Sequence, residues 1–306
     1  MAATTSSSSS TVSPLVGAFS ALSVVLIWAS WLISTRHSVG TVLRPIDLSL
    51  LRYGVPLIVL APALMRVGIW PKGVKSWPLI LMVGGSGAPF FQVVGLGMHS
   101  TPASAAGVLL PGAMPLMTAL IGVVFLGERP DRMRQLGMLA ILGGGLLLLA
   151  GNLGDAGLTW HSYVILPIGA TLWAIYTHAF RHSGLSAFEG GALICFWSTV
   201  INLALLPFFG GTQLFNAPIA ETGLQVVTQG VLSGLLATIF YGTAIRALGG
   251  TQAAAFTAVT PIAAAIGGAI LLSEPVGWAT VAAASLTGIG VLLSTGIVSR
   301  RVRVAA

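Results

Sequence analysis

The chain carries two copies of one short segment. Trp28-Ala29-Ser30-Trp31, followed by Arg36-His37-Ser38, recurs 145 residues later as Trp173-Ala174-Ile175-Tyr176, followed by Arg181-His182-Ser183. A second set of matches has an offset of 146 residues and pairs Pro115 with Pro261, Gly122 with Gly268, Leu126 with Leu272, Glu128 with Glu274 and Gly144 with Gly290. Two sets of matches at nearly one offset indicate a duplication, so the chain contains two halves of similar fold.

The composition places both halves in a membrane. Of 306 residues, 55% are hydrophobic and 7% are charged, whereas a soluble domain has about 25% charged residues. The charges are clustered and leave apolar stretches between them that are long enough for transmembrane helices, which need roughly 20 residues each. These stretches are continuously apolar rather than alternating, and this pattern favours helices over a closed barrel.

We therefore predict an all-α integral membrane protein with ten transmembrane helices. The charge-free stretch 76–127 must hold two of them, folding back at residues 99–102. The spans are expected near 14–35, 46–66, 77–98, 103–126, 135–153, 161–180, 190–209, 223–245, 252–272 and 277–298. Residues 14–153 and 161–298 then form two five-helix repeats, flanked by a disordered tail at 1–13 and a basic tail at 299–306.

An odd number of spans per repeat has a geometric consequence. The second repeat enters the bilayer from the side opposite to the first, so the repeats are inverted. Inverted repeats are a hallmark of secondary transporters, which bind substrate near the bilayer midplane and alternate access around that site. The duplication alone thus indicates transport.

The distribution of Lys and Arg predicts the orientation, because basic residues are retained on the cytoplasmic side of short loops. A cytoplasmic N-terminus assigns eleven of the fourteen basic residues to the cytoplasm and leaves Arg36, Arg44 and Arg52 on or toward the outside. Both termini are then cytoplasmic, in a bacterial inner (plasma) membrane. The net charge of +7 follows from this topology, and we do not interpret it as a nucleic-acid surface.

Three segments resemble a known family. The Leu51-Arg52 pair, the stretch from Pro115 to Gly127-Glu128, and its echo from Pro261 to Ser273-Glu274 look like the drug/metabolite transporter superfamily, EamA type. The resemblance covers about residues 14–298, and within the superfamily the chain is most similar to YddG-like (aromatic) amino-acid exporters. It implies ten spans, cytoplasmic ends, and export of aromatic and other neutral amino acids by alternating access through a central cavity.

Other functions remain open at this point. Related branches of the superfamily carry sugars, nucleotide sugars, drugs or other metabolites, so the alternative is a multidrug or metabolite exporter, with or without proton coupling. No Asp or Glu lies in the middle of a predicted span, which favours gradient-driven export over proton antiport. His178 is the residue that would titrate if protons were coupled.

The duplicated aromatic residues are the first candidates for substrate binding. Trp28 and Trp31 lie on one face of the first span, Trp173 and Tyr176 repeat that spacing on the sixth, and the two-fold relation brings the pairs together. Their rings suit apolar side chains and attract an ammonium group. The alternative is an interfacial aromatic belt or ordinary helix packing.

Uncharged polar residues in the middle of spans extend this candidate site. They offer hydrogen bonds to a zwitterion, although bonds between helices are an equal alternative for each: Gln92, His178, Thr238, Tyr241, Gln252, Thr257 and Thr260. The expected cavity is lined from spans one, three, four, six, eight and nine. Pro115 and Pro261 occupy equivalent positions and are candidates for gating or hinge residues, the alternative being that proline is simply frequent in membrane helices.

Three charged residues need separate interpretation. Arg52 is the one basic residue well inside a span, where it either extends its head group to the interface or attracts a substrate carboxylate. Glu128 and Glu274 end the fourth and ninth spans, where we expect them to accept hydrogen bonds from free helix amides.

The sequence argues against an enzyme. The histidines show no metal spacing with carboxylates, Cys195 has no evident partner, and no Walker loop occurs, so we expect no catalytic residue, metal or cofactor. The expected partners are membrane lipid and amino acids or similar small zwitterionic, aromatic or cationic substrates, with no nucleic acid. We expect a monomer.

Overall fold

The structure is a computed structural model that describes residues 13–151, 159–248 and 250–295, except for the side chains of Arg246 and of residues 250–252. All regular structure in these ranges is helical, so the all-α prediction is confirmed. Of the two predicted tails, only Ser13 is described; its side chain caps the first helix by accepting from the Leu15 amide at 3.3 Å. The remainder of both tails lies outside the described residues.

The first repeat contains seven helices that make five spans. The first two spans are single helices, the third and fourth are each broken into two, and the fifth is again single. Their bounds are α1 Pro14–Ser38, α2 Pro45–Val67, α3 Ser76–Ser86 with α4 Ala88–His99, α5 Ala103–Leu109 with α6 Met114–Leu126, and α7 Arg132–Gly151.

The second repeat makes five more spans in the same order. Its sixth and tenth spans are single helices, its seventh ends in a 3-10 turn at Leu206–Phe209, and its eighth and ninth contain non-α segments within the span. Their bounds are α8 Trp160–Ser183, α9 Ala187–Leu205, α10 Ile219–Gln225 with a π-helix Val226–Leu236 and α11 Ala237–Leu248, α12 Gly250–Phe256 with a 3-10 turn Thr257–Val259 and α13 Thr260–Leu272, and α14 Trp278–Ser294.

Nine of the spans in the described residues are long and apolar enough to cross a membrane, and the tenth, α14, is a shorter apolar helix. Many large apolar side chains on the outside of the bundle are exposed, among them Phe125 and Ile270. In water such a surface would be costly, but in a bilayer it faces lipid tails. The apolar core lies between the spans and includes Phe90, Phe91 and Leu110, all completely buried.

Three prolines mark breaks inside spans. Pro89, Pro115 and Pro261 each occupy the second position of a helix that restarts within its span. Proline fits that position because its missing N–H has no helical partner there anyway. The third, fourth and ninth spans therefore each restart at a proline, rather than continuing as one helix bent at it.

Both repeats end their first span in the same way. Helices α1 and α8 each run about three residues beyond the predicted limits, and each has an Arg-His pair in its last turn, Arg36-His37 and Arg181-His182. Positive side chains near a helix C-terminus interact favourably with the helix dipole. The duplicated basic pair therefore explains the extra turn.

Small residues let the two halves pack closely. Helices α7 and α14, the last spans of the two repeats, cross where Gly137 faces Gly290: a Cβ on either glycine would lie 2.6–2.7 Å from the other's carbonyl oxygen. Close backbone approach through glycine is typical of membrane helices. The repeats are thus joined along their final spans.

Candidate transport cavity

Two adjoining chambers lie inside the helix bundle. The first has a volume of about 400 Å³ and is lined by α1, α2, α3, α8, α9, the π-helix and α11. The second has a volume of about 780 Å³ and is lined by α1, α6, α7, α8, α11, the ninth span and α14. Both are within the range of small-molecule sites.

Aromatic rings separate the two chambers. Trp28, Trp173 and Tyr241 line both of them. The Trp28 and Trp173 ring centroids are 6.2 Å apart in an edge-to-face arrangement, and those of Trp28 and Tyr241 are 6.1 Å apart. The first spans of the two repeats therefore meet at the centre of the molecule through their duplicated tryptophans.

The first chamber continues this aromatic surface. Tyr176 lies against Trp173 with a centroid distance of 5.1 Å, and Phe180 lies against Tyr176 at 6.0 Å. Thr238 lines the same chamber from α11. Aromatic rings arranged in this way suit the apolar part of a small substrate.

A buried cation also lines the first chamber. Arg52 of α2 is 8% exposed, and its guanidinium carbon lies 4.7 Å from the Trp31 ring centroid and 5.7 Å from that of Phe91. The Nη1 atom has no hydrogen-bond partner. Within the described part of the chain, no carboxylate is close enough to form an ion pair with Arg52.

The neighbours of Arg52 are neutral. Tyr53 donates from its hydroxyl to the Ser86 carbonyl at 2.7 Å. Ser233, on the π-helix, is buried with an unpartnered hydroxyl and lines the same chamber, as does the buried Cys195. Inside the chamber the buried residues thus present one positive charge, on Arg52, and two unpaired polar atoms, on Arg52 and Ser233, while a second arginine, Arg181, lines the chamber from an exposed position.

The π-helix positions this wall. Its i to i+5 hydrogen bonding is rare and is frequently found at functional sites. Gln229 donates to Thr35 Oγ1 at 2.9 Å, which fastens the segment to α1. A Cβ on Gly234 would lie 2.6 Å from the Arg52 carbonyl oxygen, so this glycine lets the segment approach α2 closely.

The second chamber is more polar at its mouth. Pro115, Thr118 and Thr257 line its interior together with His178, whose Nε2 lies 3.1 Å from the Thr118 carbonyl oxygen. Its outer part is lined by charged and exposed side chains, namely Glu128, Arg129, Arg134 and Arg181.

Both chambers reach the surface at one end of the molecule, here called the open end. Arg181 and Ala187, at the end of α8 and the start of α9, are exposed and line the first chamber. Glu128, which follows α6, is likewise exposed and lines the second chamber. The open end is therefore the end at which α1 begins and α8 finishes.

The other end, here called the closed end, is sealed by polar contacts. Arg36, in the last turn of α1, lies 3.2 Å from Glu274 after α13 and donates to the His99 carbonyl at 2.8 Å. The second carboxylate oxygen of Glu274 accepts from the Ala103 amide at 2.8 Å. This is the capping role predicted for Glu274, except that the capped helix is α5 of the other repeat.

Further contacts of the closed end join the two repeats through α2. The Asp47 carboxylate accepts from the Thr212 hydroxyl at 2.7 Å and from the Gln213 amide at 2.9 Å. Arg44 donates to carbonyl oxygens of the same connection, Phe209 and Gly211. None of the residues in these contacts lines either chamber within the described part of the chain.

The other predicted site residues lie elsewhere. Trp31 is buried behind Arg52, Gln92 donates to Asn202 at 3.4 Å between helices, and Thr260 is completely buried outside both chambers. Pro261 is buried against Gly107 of α5. The side chain of Gln252 is outside the described residues.

Sequence reasoning did not place Tyr53, Phe180, Cys195 or Ser233 in the site. Phe180 lies one turn beyond Tyr176 on the same helix face, and this spacing was the available signal. The other three come from spans two, seven and eight, and nothing in their local sequence indicates a cavity.

The duplicated ten-span fold around a central cavity defines a class, the membrane transporters built from two inverted helical repeats. Residues 15–150 and residues 161–296 each match the EamA-like transporter family. Because the two matches together cover most of the chain, the protein belongs to this family.

Two comparisons add detail. A protein named as a probable terminal-alkyne amino-acid exporter, from Streptantibioticus cattleyicolor, is 29% identical over 232 residues, which are 74% of this chain and 76% of that relative. A crystal structure of another protein superposes with a TM-score of 0.64, at 18% identity, over 94% of this chain and 100% of that chain. At that identity the superposition shows a shared fold.

Proposed function

We propose that this protein exports amino acids, aromatic and other neutral ones among them, by alternating access through the two chambers. The observation that carries the proposal is the contact between the duplicated residues Trp28 and Trp173 at the centre of the cavity. The relative's name as an amino-acid exporter supports the substrate class. The apolar wall of the first chamber suits the side chains of such substrates.

The direction of access follows from charge. The exposed Lys72, Lys75, Arg129 and Arg134 lie at the open end, whereas Arg36 and Arg44 lie at the closed end. Because basic residues are retained in the cytoplasm, the open end is the cytoplasmic one in a bacterial inner membrane. The structure then represents a state ready to receive substrate from the cytoplasm.

The duplication indicates which contacts would form in the opposite state, in which the cytoplasmic end is closed. Arg181 and Glu128 are the repeat equivalents of Arg36 and Glu274, and both line the second chamber at the open end. Among the described residues Glu128 forms no ion pair. We propose that Arg181 and Glu128 pair when the repeats exchange conformations, and that this pair closes the cytoplasmic end while Arg36 and Glu274 separate.

One observation favours an alternative. The second chamber is larger than the first and contains His178, which lies 3.1 Å from the Thr118 carbonyl oxygen. A proton-coupled exporter of larger drugs or metabolites would use this space and this titratable group. The uptake experiment below distinguishes the two.

The test is uptake of radiolabelled amino acids into proteoliposomes of the purified protein, with and without an imposed pH gradient. Saturable uptake driven by the amino-acid gradient alone is expected. Uptake only under a pH gradient would favour proton coupling through His178, and His178→Gln would then abolish it. Absence of uptake of every amino acid would overturn the proposed substrate class.

A further inference from the structure

Arg52 is a positive charge in a place where an unpaired charge is costly. It is 8% exposed and has no carboxylate partner among the described residues. Arginine stays ionised even when buried, and an intramembrane charge without a partner is expensive. Contact with Trp31 and Phe91 offsets part of this cost, but it leaves Nη1 without an acceptor.

The geometry of the chamber shows where an acceptor would sit. Arg52 and Ser233 line the first chamber from two elements that pack against each other, α2 and the π-helix, and each has a buried polar atom without a partner. Both atoms donate, and both belong to residues that are more than nine-tenths buried. A carboxylate can accept from both at once and also neutralises the guanidinium charge, which a neutral carbonyl oxygen does not do.

We propose that Arg52 and Ser233 form a carboxylate subsite, so that the transported substrate must have a free carboxylate. This inference rests on the proposed function and narrows it. The guanidinium takes the carboxylate, since it matches that group in a paired arrangement, and Ser233 donates to the same group. The apolar side chain of the substrate then lies along Trp173, Tyr176 and Phe180 toward the open end.

The subsite distinguishes between two kinds of substrate that Trp173, Tyr176 and Phe180 alone would bind equally well. An amino acid and its amide share the ring and the ammonium group, and both can contact the aromatic faces. Only the acid neutralises Arg52. Aromatic or cationic drugs without a carboxylate leave the charge unpaired and are therefore rejected.

The experiment compares the binding of L-phenylalanine and L-phenylalaninamide to the purified full-length protein by calorimetry. The wild type should bind the acid at least about tenfold more tightly than the amide, because hydrogen bonds to charged groups are worth about 10- to 100-fold in affinity. Arg52→Gln should lower the affinity for phenylalanine by that factor and leave that for the amide unchanged. The control is Arg66→Gln, an exposed arginine on the same helix that lines neither chamber.

Two further measurements do not depend on the folding of Arg52→Gln. Ser233→Ala removes a hydroxyl that has no partner in the protein, so it should leave the melting temperature unchanged and weaken phenylalanine binding severalfold. Equal binding of the acid and the amide by the wild type would overturn the carboxylate subsite while leaving amino-acid transport intact. Binding of neither ligand, together with absence of amino-acid uptake in proteoliposomes, would overturn the proposed function itself.

Discussion

Arg36 and Glu274 are 238 positions apart in the chain, yet the Arg36 Nε lies 3.2 Å from a Glu274 carboxylate oxygen. The same arginine donates to the Met98 carbonyl, and the same carboxylate accepts from the Ala103 amide. One ion pair thus joins the ends of the first, third and ninth spans to the start of the fourth. It connects both repeats at the end where the chambers are sealed.

The first prediction concerns this pair. Arg36→Gln or Glu274→Gln should each lower the melting temperature, because each leaves the other partly buried charge and its backbone contacts without a partner. Each should also slow proteoliposome uptake, since the closed end must re-form in every cycle. The double variant should be no worse than the more damaging single one, because contacting residues couple by about 0.5–3 kcal/mol. Fully additive losses would show that the two side chains act independently.

The second prediction concerns the equivalent pair at the open end. Glu128→Gln or Arg181→Gln should leave the melting temperature nearly unchanged, because both side chains are exposed here. Uptake should nevertheless fall strongly, since the pair is needed to close the cytoplasmic end in the opposite state. Exchanging the charges, Glu128→Arg with Arg181→Glu, should restore uptake above either single reversal. Wild-type uptake by Glu128→Gln would contradict the exchange mechanism.

The third prediction uses two adjacent glycines of α3. A Cβ on Gly85 would lie 2.4 Å from the Leu172 carbonyl oxygen and 2.8 Å from the Tyr176 backbone, whereas one on Gly84 would meet nothing within 4 Å. Gly85→Ala should therefore push α8 away, lower the melting temperature and slow uptake by displacing Tyr176. Gly84→Ala is the matched control and should be neutral or slightly stabilising, since alanine favours helix. Equal effects of the two would contradict the tight contact.

The fold was predictable from the sequence to a large extent. Apolar length and charge spacing are local properties, and they were enough to predict ten spans, while the residues matched at offsets of 145 and 146 were enough to predict the duplication. The breaks before Pro89, Pro115 and Pro261 were harder to predict from the sequence, because a proline in an apolar run is compatible with either a kink or a restart of the helix. The π-helix Val226–Leu236 had no sequence signal, since its geometry depends on contacts such as that between Gln229 and Thr35.

The candidate site was predictable where the duplication pointed to it. Trp28 and Trp173 are equivalent positions on the first span of each repeat, and the structure brings them into contact. Trp31 has the same helical spacing but lies behind Arg52, because spacing defines a helix face and not what that face meets. Cys195 and Ser233 lie on α9 and on the π-helix. Which side of these helices faces the chamber depends on tertiary packing, so their local sequence did not indicate it.

The last prediction distinguishes the aromatic residues that line the first chamber, here called the aromatic wall, from the buried aromatic residue behind Arg52. Trp173 and Tyr176 line the first chamber and are partly exposed, whereas Trp31 is 4% exposed and supports Arg52 from behind. Trp173→Ala or Tyr176→Ala should weaken phenylalanine binding and slow uptake while the protein remains folded in the membrane. Trp31→Ala should instead lower stability by about 3–5 kcal/mol through a core cavity, with a large fall in melting temperature. Trp173→Phe is the control that keeps an aromatic face and should retain most of the uptake. If folded Trp173→Ala and Tyr176→Ala both transport at the wild-type rate, the aromatic wall is packing and the substrate lies elsewhere.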